Sequence, residues 1–177
     1  WIVRLLRPPP VVRALAGWVV FWPAWFAFVV LRESGPWLLL AAAALVWVAD
    51  IAAYFVGRRF GRHKLAPTVS PGKTWEGLVG ALAGVALYGI VLAAIARGLP
   101  EPFLEVFEPA FGVPAIVAMV VLAMLSVVGD LFESWMKRGA GMKDSSALLP
   151  GHGGLVDRID SLTSTLPIVA LALLFWR

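Results

Sequence analysis

Polar residues punctuate this chain at wide intervals, and the apolar runs between them are long. Five such runs stand out: Val11–Leu31, Trp37–Val56, roughly Trp75–Ala96, Val113–Val128 and a last one that opens near Asp157 and ends at Trp176. The helix of the fourth can continue to Arg138. Most approach the ~20 residues that cross ~30 Å of hydrocarbon at 1.5 Å per residue. The purely apolar part of the fifth, Leu166–Trp176, is short, so the polar residues at its start must sit inside protein or near headgroups. The pattern predicts an all-α integral membrane protein: a polytopic helical bundle of about five transmembrane helices, forming one membrane-embedded domain over residues 1–177.

Composition strengthens that picture. The chain is 60% hydrophobic and 15% charged, with a mean hydropathy of +0.86. Soluble domains carry about 45–50% apolar and about 25% charged residues, so lipid must solvate many of these side chains. With no cysteine, disulfides, thiolate metal sites and cysteine nucleophiles are excluded. The net charge of +4 fits cytoplasmic loops and anionic headgroups and needs no nucleic-acid partner. No signal peptide is apparent, and a chain that begins at Trp1 is expected to be a fragment or a processed form.

The distribution of charge adds an orientation. Arg4 and Arg7 precede the first run and Arg13 lies at its start; Arg58, Arg59, Arg62, Lys64 and Lys73 lie between the second and third; Lys137, Arg138 and Lys143 lie between the fourth and fifth, with Arg158 at the start of the fifth. The alternate loops hold only Arg32 and Arg97, and the C-terminal end only Arg177. The positive-inside rule puts the N-terminus and the two long basic loops in the cytoplasm. The Gly98–Gly112 loop, with Glu101, Glu105 and Glu108, belongs on the opposite side.

Four carboxylates then fall toward one leaflet. Asp50 lies in the second run, Asp130 near the cytoplasmic end of the fourth, and Asp157 and Asp160 open the fifth. An ionisable residue in a span costs at least ~2.5 kcal/mol at mid-helix, so it faces a polar interior. Helical spacing puts Asp50, Tyr54 and Arg58 on one face; Asp130, Glu133, Ser134, Lys137 and Arg138 on a second; Asp157, Asp160, Ser161 and Ser164 on a third. Converging carboxylates suit a hard divalent cation such as Mg²⁺, which keeps sites for phosphate oxygens. The simpler alternative is that each aspartate pairs with a nearby Arg or Lys and only ties helices together.

Two basic segments carry the remaining chemistry. One runs Ser134 to Asp160, S-W-M-K-R-G-A-G-M-K-D-S-S-A-L-L-P-G-H-G-G-L-V-D-R-I-D. It combines cations for phosphates, carboxylates for a metal and glycines that let a backbone approach a ligand. That inventory suits phosphoryl or nucleotidyl transfer, where catalysis is positioning plus charge stabilisation. The other is V-S-P-G-K-T-W-E-G, from Val69 to Gly77. Its Gly72-Lys73-Thr74 is not a P-loop: Pro67 stands where the Walker glycine belongs, and no strand is expected before it. Ser70 or Thr74 can cap the third helix with Glu76 in its first turn, and a capped helix start also binds anions.

The first segment resembles the signature of the phosphatidate cytidylyltransferases, or CDP-diacylglycerol synthases: S-x-x-K-R, four residues, K-D, then P-x-H-G-G-x-x-D-R-x-D. Ser134, Lys137, Arg138, Lys143, Asp144, Pro150, His152, Gly153, Gly154, Asp157, Arg158 and Asp160 match it. Gly129–Glu133, the stretch from Asp50 to Pro67, and the S-P-x-K-T-x-E-G box at Ser70 are also similar. The likeness runs from about Ala49 to Leu166; the family is usually longer at its N-terminus, with further spans. Ile51 is a departure, standing where the family has a small or hydroxylated residue.

The resemblance implies transfer of the cytidylyl group of CTP to phosphatidic acid, giving CDP-diacylglycerol and pyrophosphate, in a bacterial inner membrane with the site facing the cytoplasm. It implies Asp130, Asp157 and Asp160 as metal ligands with Asp144 an addition, for Mg²⁺, and leaves open a second cation. Lys143 joins the catalytic set. Ser70, Lys73, Thr74, Lys137, Arg138, His152, Gly153, Gly154 and Arg158 are the expected substrate-binding residues. A CTP-dependent kinase of a polyprenol or related lipid alcohol is the alternative enzyme. A transporter would show paired interrupted helices in two halves, and the sequence has no such symmetry. Finally, Gly77, Gly80 and Gly84 mark a close helix contact in the third span. Its partner is either a helix of the same chain or a second protomer, since the resemblance makes a homodimer reasonable.

Overall fold

A computed structural model describes residues 9–96, 113–139, 141 and 159–176. Five helices follow the apolar runs: α1 (Pro10–Ser34), α2 (Pro36–Phe60), α3 (Trp75–Ala96), α4 (Val113–Gly139) and α5 (Asp160–Trp176). Prolines open α1 and α2, where a missing N–H is harmless. Gly35 separates these two helices, its N–H donating to the Leu31 carbonyl at 3.0 Å. The fourth run does continue as one helix past Asp130 to Gly139. The Gly98–Gly112 loop lies outside the described residues.

Among the described residues, Pro36–Phe60, Trp75–Ile95 and Ile116–Gly139 are long and apolar enough to cross a membrane. The apolar stretch of α5, Ser161–Leu174, is shorter, as its polar start foretold. Large side chains such as Trp18, Trp22, Val79 and Val128 are exposed along the helices, the inverse of a soluble fold and the surface that lipid covers. Trp18 stacks on Trp22 with ring centroids 5.9 Å apart, consistent with packing or lipid contact.

Helix α2 is the centre of the bundle. Its first half packs Leu38, Ala41 and Ala42 against Ala27 and Leu31 of α1, Leu92 of α3 and Leu166 and Ala170 of α5. Its middle packs Leu45, Val46 and Ala49 against Ala81 and Val85 of α3 and Ala123 of α4. Both clusters are rich in alanine, which lets helix axes approach closely where no aqueous hydrophobic effect drives association. Tyr88 of α3 adds a bond across this contact, its hydroxyl donating to the Ala41 carbonyl at 3.0 Å.

The most extensive helix contact joins α2 and α3, and it explains the glycines. A Cβ at Gly80 would stand 2.6 Å from Val56, and one at Gly84 2.7 Å from Ala52. At Gly77 it would meet the Ala53 carbonyl oxygen at 2.9 Å. Of the two partners the sequence left open, the structure selects the helix of the same chain.

One expectation needs correction. The bundle is all-α as the pattern predicts, but the loop between α2 and α3 carries a short β-hairpin where no strand was expected. Strand β1 (Lys64–Ala66) pairs antiparallel with β2 (Ser70–Thr74), in a register of Lys64 with Thr74 and Ala66 with Ser70. The turn closes through the Val69 N–H to the Ala66 carbonyl, at 3.2 Å. A strand therefore does precede Gly72-Lys73-Thr74. These residues are themselves strand, running directly into α3, which is unlike the strand-loop-helix of a phosphate-binding loop. Periodicity missed the hairpin because its strands are too short to alternate and contain Pro71 and Gly72, tolerated in a two-stranded ribbon with free edges.

Gly80→Leu and Gly84→Leu will each lower the unfolding temperature of the detergent-purified protein, because overpacking costs about 1–3 kcal/mol or more. Gly72→Ala, whose Cβ would meet nothing within 4 Å, will not. A Gly84→Leu protein that stays fully stable would remove these glycines from the helix contact.

Candidate active site

At the hairpin end of the bundle α2, α3, α4 and the hairpin enclose a cavity of about 650 Å³. Asp50, Tyr54 and Arg58 line it from α2, Ser70, Lys73 and Thr74 from β2, and Asp130 from α4. Ser70, Lys73, Thr74 and Asp130 were expected at the site, and the fold brings all four to one cavity.

Thr74 sets the position of the hairpin. It is 5% exposed, at the junction where three glycines make room for it. A Cβ at Gly57 would stand 3.0 Å from its hydroxyl oxygen, as would one at Gly77, and Gly61 leaves no space beside it. That oxygen accepts the Gly77 N–H at 3.1 Å, the N-cap bond of α3. Of the two caps considered, Thr74 is the one used. Glu76 closes the other side of the hairpin. Its carboxylate accepts the backbone N–H of His63 at 3.2 Å and meets the ring Nδ1 at 2.7 Å. The Trp75 N–H donates to the His63 carbonyl at 3.0 Å.

Two contacts tie the hairpin to α4. Lys73 Nζ forms an ion pair with Asp130 Oδ2, both side chains about three-quarters buried at 24% and 22% exposure. The Ser134 hydroxyl, one turn on, donates to Asp130 Oδ1 at 3.4 Å. Arg138 Nε donates to the Val69 carbonyl at 3.3 Å, so this expected phosphate ligand also clamps the hairpin turn. Lys137 pairs with Glu133 at 3.3 Å along the same helix.

Asp160 opens α5. Gly129 lies so close to Ser164 that a Cβ there would collide with its side chain. This contact packs α4 against α5 at the residue before Asp130. The Ser164 and Thr165 hydroxyls donate to the Ser161 carbonyl at 3.0 and 2.8 Å. Lys143, Asp144, His152, Gly153, Gly154, Asp157 and Arg158 lie outside the described residues, as does the Asp160 side chain. Among the described residues no three His, Cys, Asp or Glu side chains come together.

Several cavity residues were not on the expected list. Asp50 was noticed for its place in a span but not assigned. Tyr54, Arg58 and Lys64 were missed, although the spacing of Asp50, Tyr54 and Arg58 along one helix face was the available signal. The Tyr54 hydroxyl accepts a bond from Arg58 Nη1 at 2.7 Å.

Fold and site together define a polytopic helical membrane protein with a cavity at one end, into which an apolar lining admits a few cations and carboxylates. More narrowly, the chain belongs to the cytidylyltransferase family, whose model matches residues 11–176. It is 46% identical over 159 residues to a phosphatidate cytidylyltransferase of Pseudomonas aeruginosa, covering 89% of this chain and 55% of that relative. It is 50% identical over 133 residues to one from Haemophilus influenzae, covering 75% and 44%. A Synechocystis phosphatidate cytidylyltransferase is 39% identical over 149 residues, covering 84% and 47%. The chain thus spans about half the length of the curated relatives it matches.

Thr74→Val keeps the volume of the side chain but removes the oxygen that caps α3. It will lower stability by about 1 kcal/mol, the usual worth of an N-cap, while Thr74→Ser stays near the parent. Equal unfolding temperatures for the two variants would show that the cap contributes nothing.

Proposed function

We propose that this chain carries the catalytic portion of a phosphatidate cytidylyltransferase. Membership of the family supports this, and so does the pairing of Lys73 with Asp130 across a cavity at the bundle end. In the proposed reaction an oxygen of the phosphatidate phosphate attacks the α-phosphorus of CTP. The bond from that phosphorus to the bridging oxygen breaks, and pyrophosphate leaves. The lipid phosphate is the nucleophile, so the protein's work is to bind, align and neutralise.

Lys73 is set to neutralise phosphate charge, with Ser70 as a hydroxyl donor beside it. Arg138, Lys137, Lys143, Arg158, His152 and the Gly153-Gly154 backbone complete the proposed phosphate-binding set. Asp130 fits a hard cation: it presents an all-oxygen donor to the cavity and already takes a positive charge there, from Lys73. We assign Mg²⁺ to Asp130, Asp157 and Asp160, with Asp144 as a further ligand and a second cation open. Bound there, Mg²⁺ would supply positive charge to the phosphate oxygens.

The basic residues cluster at the hairpin end, which supports a cytoplasmic site in a bacterial inner membrane. A homodimer would not use the α3 glycines, which α2 covers, and rests on the family resemblance alone. The chain contains no cysteine, so single cysteines report topology cleanly. Arg62→Cys and Gly139→Cys will both be labelled from the cytoplasmic side and Glu33→Cys only from the other. Opposite-side labelling of positions 62 and 139 would break the shared site.

The activity test uses detergent-solubilised protein with Mg²⁺, phosphatidate and CTP labelled at either the α or the γ phosphorus. Cytidylyl transfer puts the α label into lipid and the γ label into pyrophosphate, and Asp130→Asn abolishes it. Appearance of the γ label in a polyprenol substrate would favour the kinase instead.

A further inference from the structure

Arg58 belongs to two hollows at once. It lines the cavity that holds Lys73 and Asp130. It also lines a shallow recess of about 620 Å³ on the outer side of α2, together with Phe55, Val56, Arg59 and Phe60. Phe55 and Phe60 are 65% and 62% exposed, in the last two turns of α2. Exposed phenylalanine rings at the end of a span lie against the upper acyl chains, and arginines beside them attract anionic headgroups.

The guanidinium is held for this purpose by a neutral group. Tyr54, one turn earlier, accepts its Nη1 at 2.7 Å, and the guanidinium carbon stands 5.9 Å from the Tyr54 ring centroid. A phenol fixes the group without cancelling its charge, as a carboxylate would. The Nε and second Nη edges are then suited to the oxygens of a phosphate, which arginine grips in pairs. A nucleotide does not need the two flanking phenylalanines, whereas a lipid does: its phosphate can meet Arg58 and Arg59 while its glycerol and upper acyl chains lie over the rings.

We infer that this recess docks the phosphomonoester headgroup of a membrane lipid, and that Arg58, at the wall shared with the inner cavity, passes that phosphate toward Lys73. The inference rests on the proposed function for its lipid substrate. Arg58 is then a ligand for the lipid phosphate and not for the nucleotide. A phosphomonoester carries more charge than the phosphodiester of phosphatidylglycerol, so the recess prefers the former.

Lipid retention without nucleotide tests this independently of turnover. The purified full chain in detergent is mixed with phosphatidate or phosphatidylglycerol at equal mole fraction, and bound lipid is read by native mass spectrometry. The parent will retain phosphatidate preferentially. Arg58→Gln will raise the half-saturating phosphatidate fraction about tenfold, as loss of a charged hydrogen bond predicts, with unfolding temperature and CTP binding unchanged. Arg58→Lys will recover part of it. Tyr54→Phe, a milder change that keeps the ring, will shift retention a few-fold in the same direction and serves if Arg58→Gln does not fold. Undiminished preference in Arg58→Gln, no preference in the parent, or parallel loss of CTP binding would each overturn the inference. Selective retention that depends on Arg58, in a protein that transfers no cytidylyl group, would sink the proposed activity and leave the docking site standing.

Discussion

The ion pair of Lys73 with Asp130 is the constraint around which this end of the molecule is organised. Each group lies about three-quarters buried at the edge of an apolar bundle, where a lone charge would be costly. Together they satisfy each other, and in doing so they join a hairpin to a helix distant in sequence. The cavity exists because that tie spans it: α2 forms one wall, the hairpin folds over, and Lys73 reaches to α4. In the proposed reaction the same two groups would exchange each other for a cation and a phosphate.

The pair can form only because the backbone beneath it is closely packed. Glycines 77, 80 and 84 bring α3 against α2, and Gly57, Gly61 and Gly77 make room for Thr74. Thr74 follows Lys73 directly, so the buried cap of α3 fixes where the lysine starts. Arg138 holding the Val69 carbonyl and Glu76 holding His63 secure the two ends of the hairpin. Small residues serve here as geometry: they set distances that the charged residues then use.

Much of this was legible in the sequence. The helices follow the apolar runs because long lipid-facing segments leave little ambiguity, and Asp130 stood out because a charge in a span is expensive. Ser70, Lys73 and Thr74 were legible through their motif, whereas the packing of Gly129 on Ser164, which joins α4 to α5, had no signal in the sequence. The hairpin was not legible, since strands of three and five residues with proline and glycine give no alternation. Tyr54 and Arg58 were passed over because spacing along one helix cannot tell which face meets the cavity; that depends on how α2 packs against α3. The choice of α2 over a second protomer as partner of the glycines was likewise a tertiary fact.

The most direct test of the central tie is a double-mutant cycle on stability, comparing Lys73→Met, Asp130→Asn and the double variant in detergent. If the two charges hold the hairpin to α4, each single variant strands its partner. The double variant will then be more stable than the sum of the two losses predicts, by a coupling of about 0.5–3 kcal/mol. Strictly additive losses would contradict the account, because the two side chains would then be neighbours without being partners.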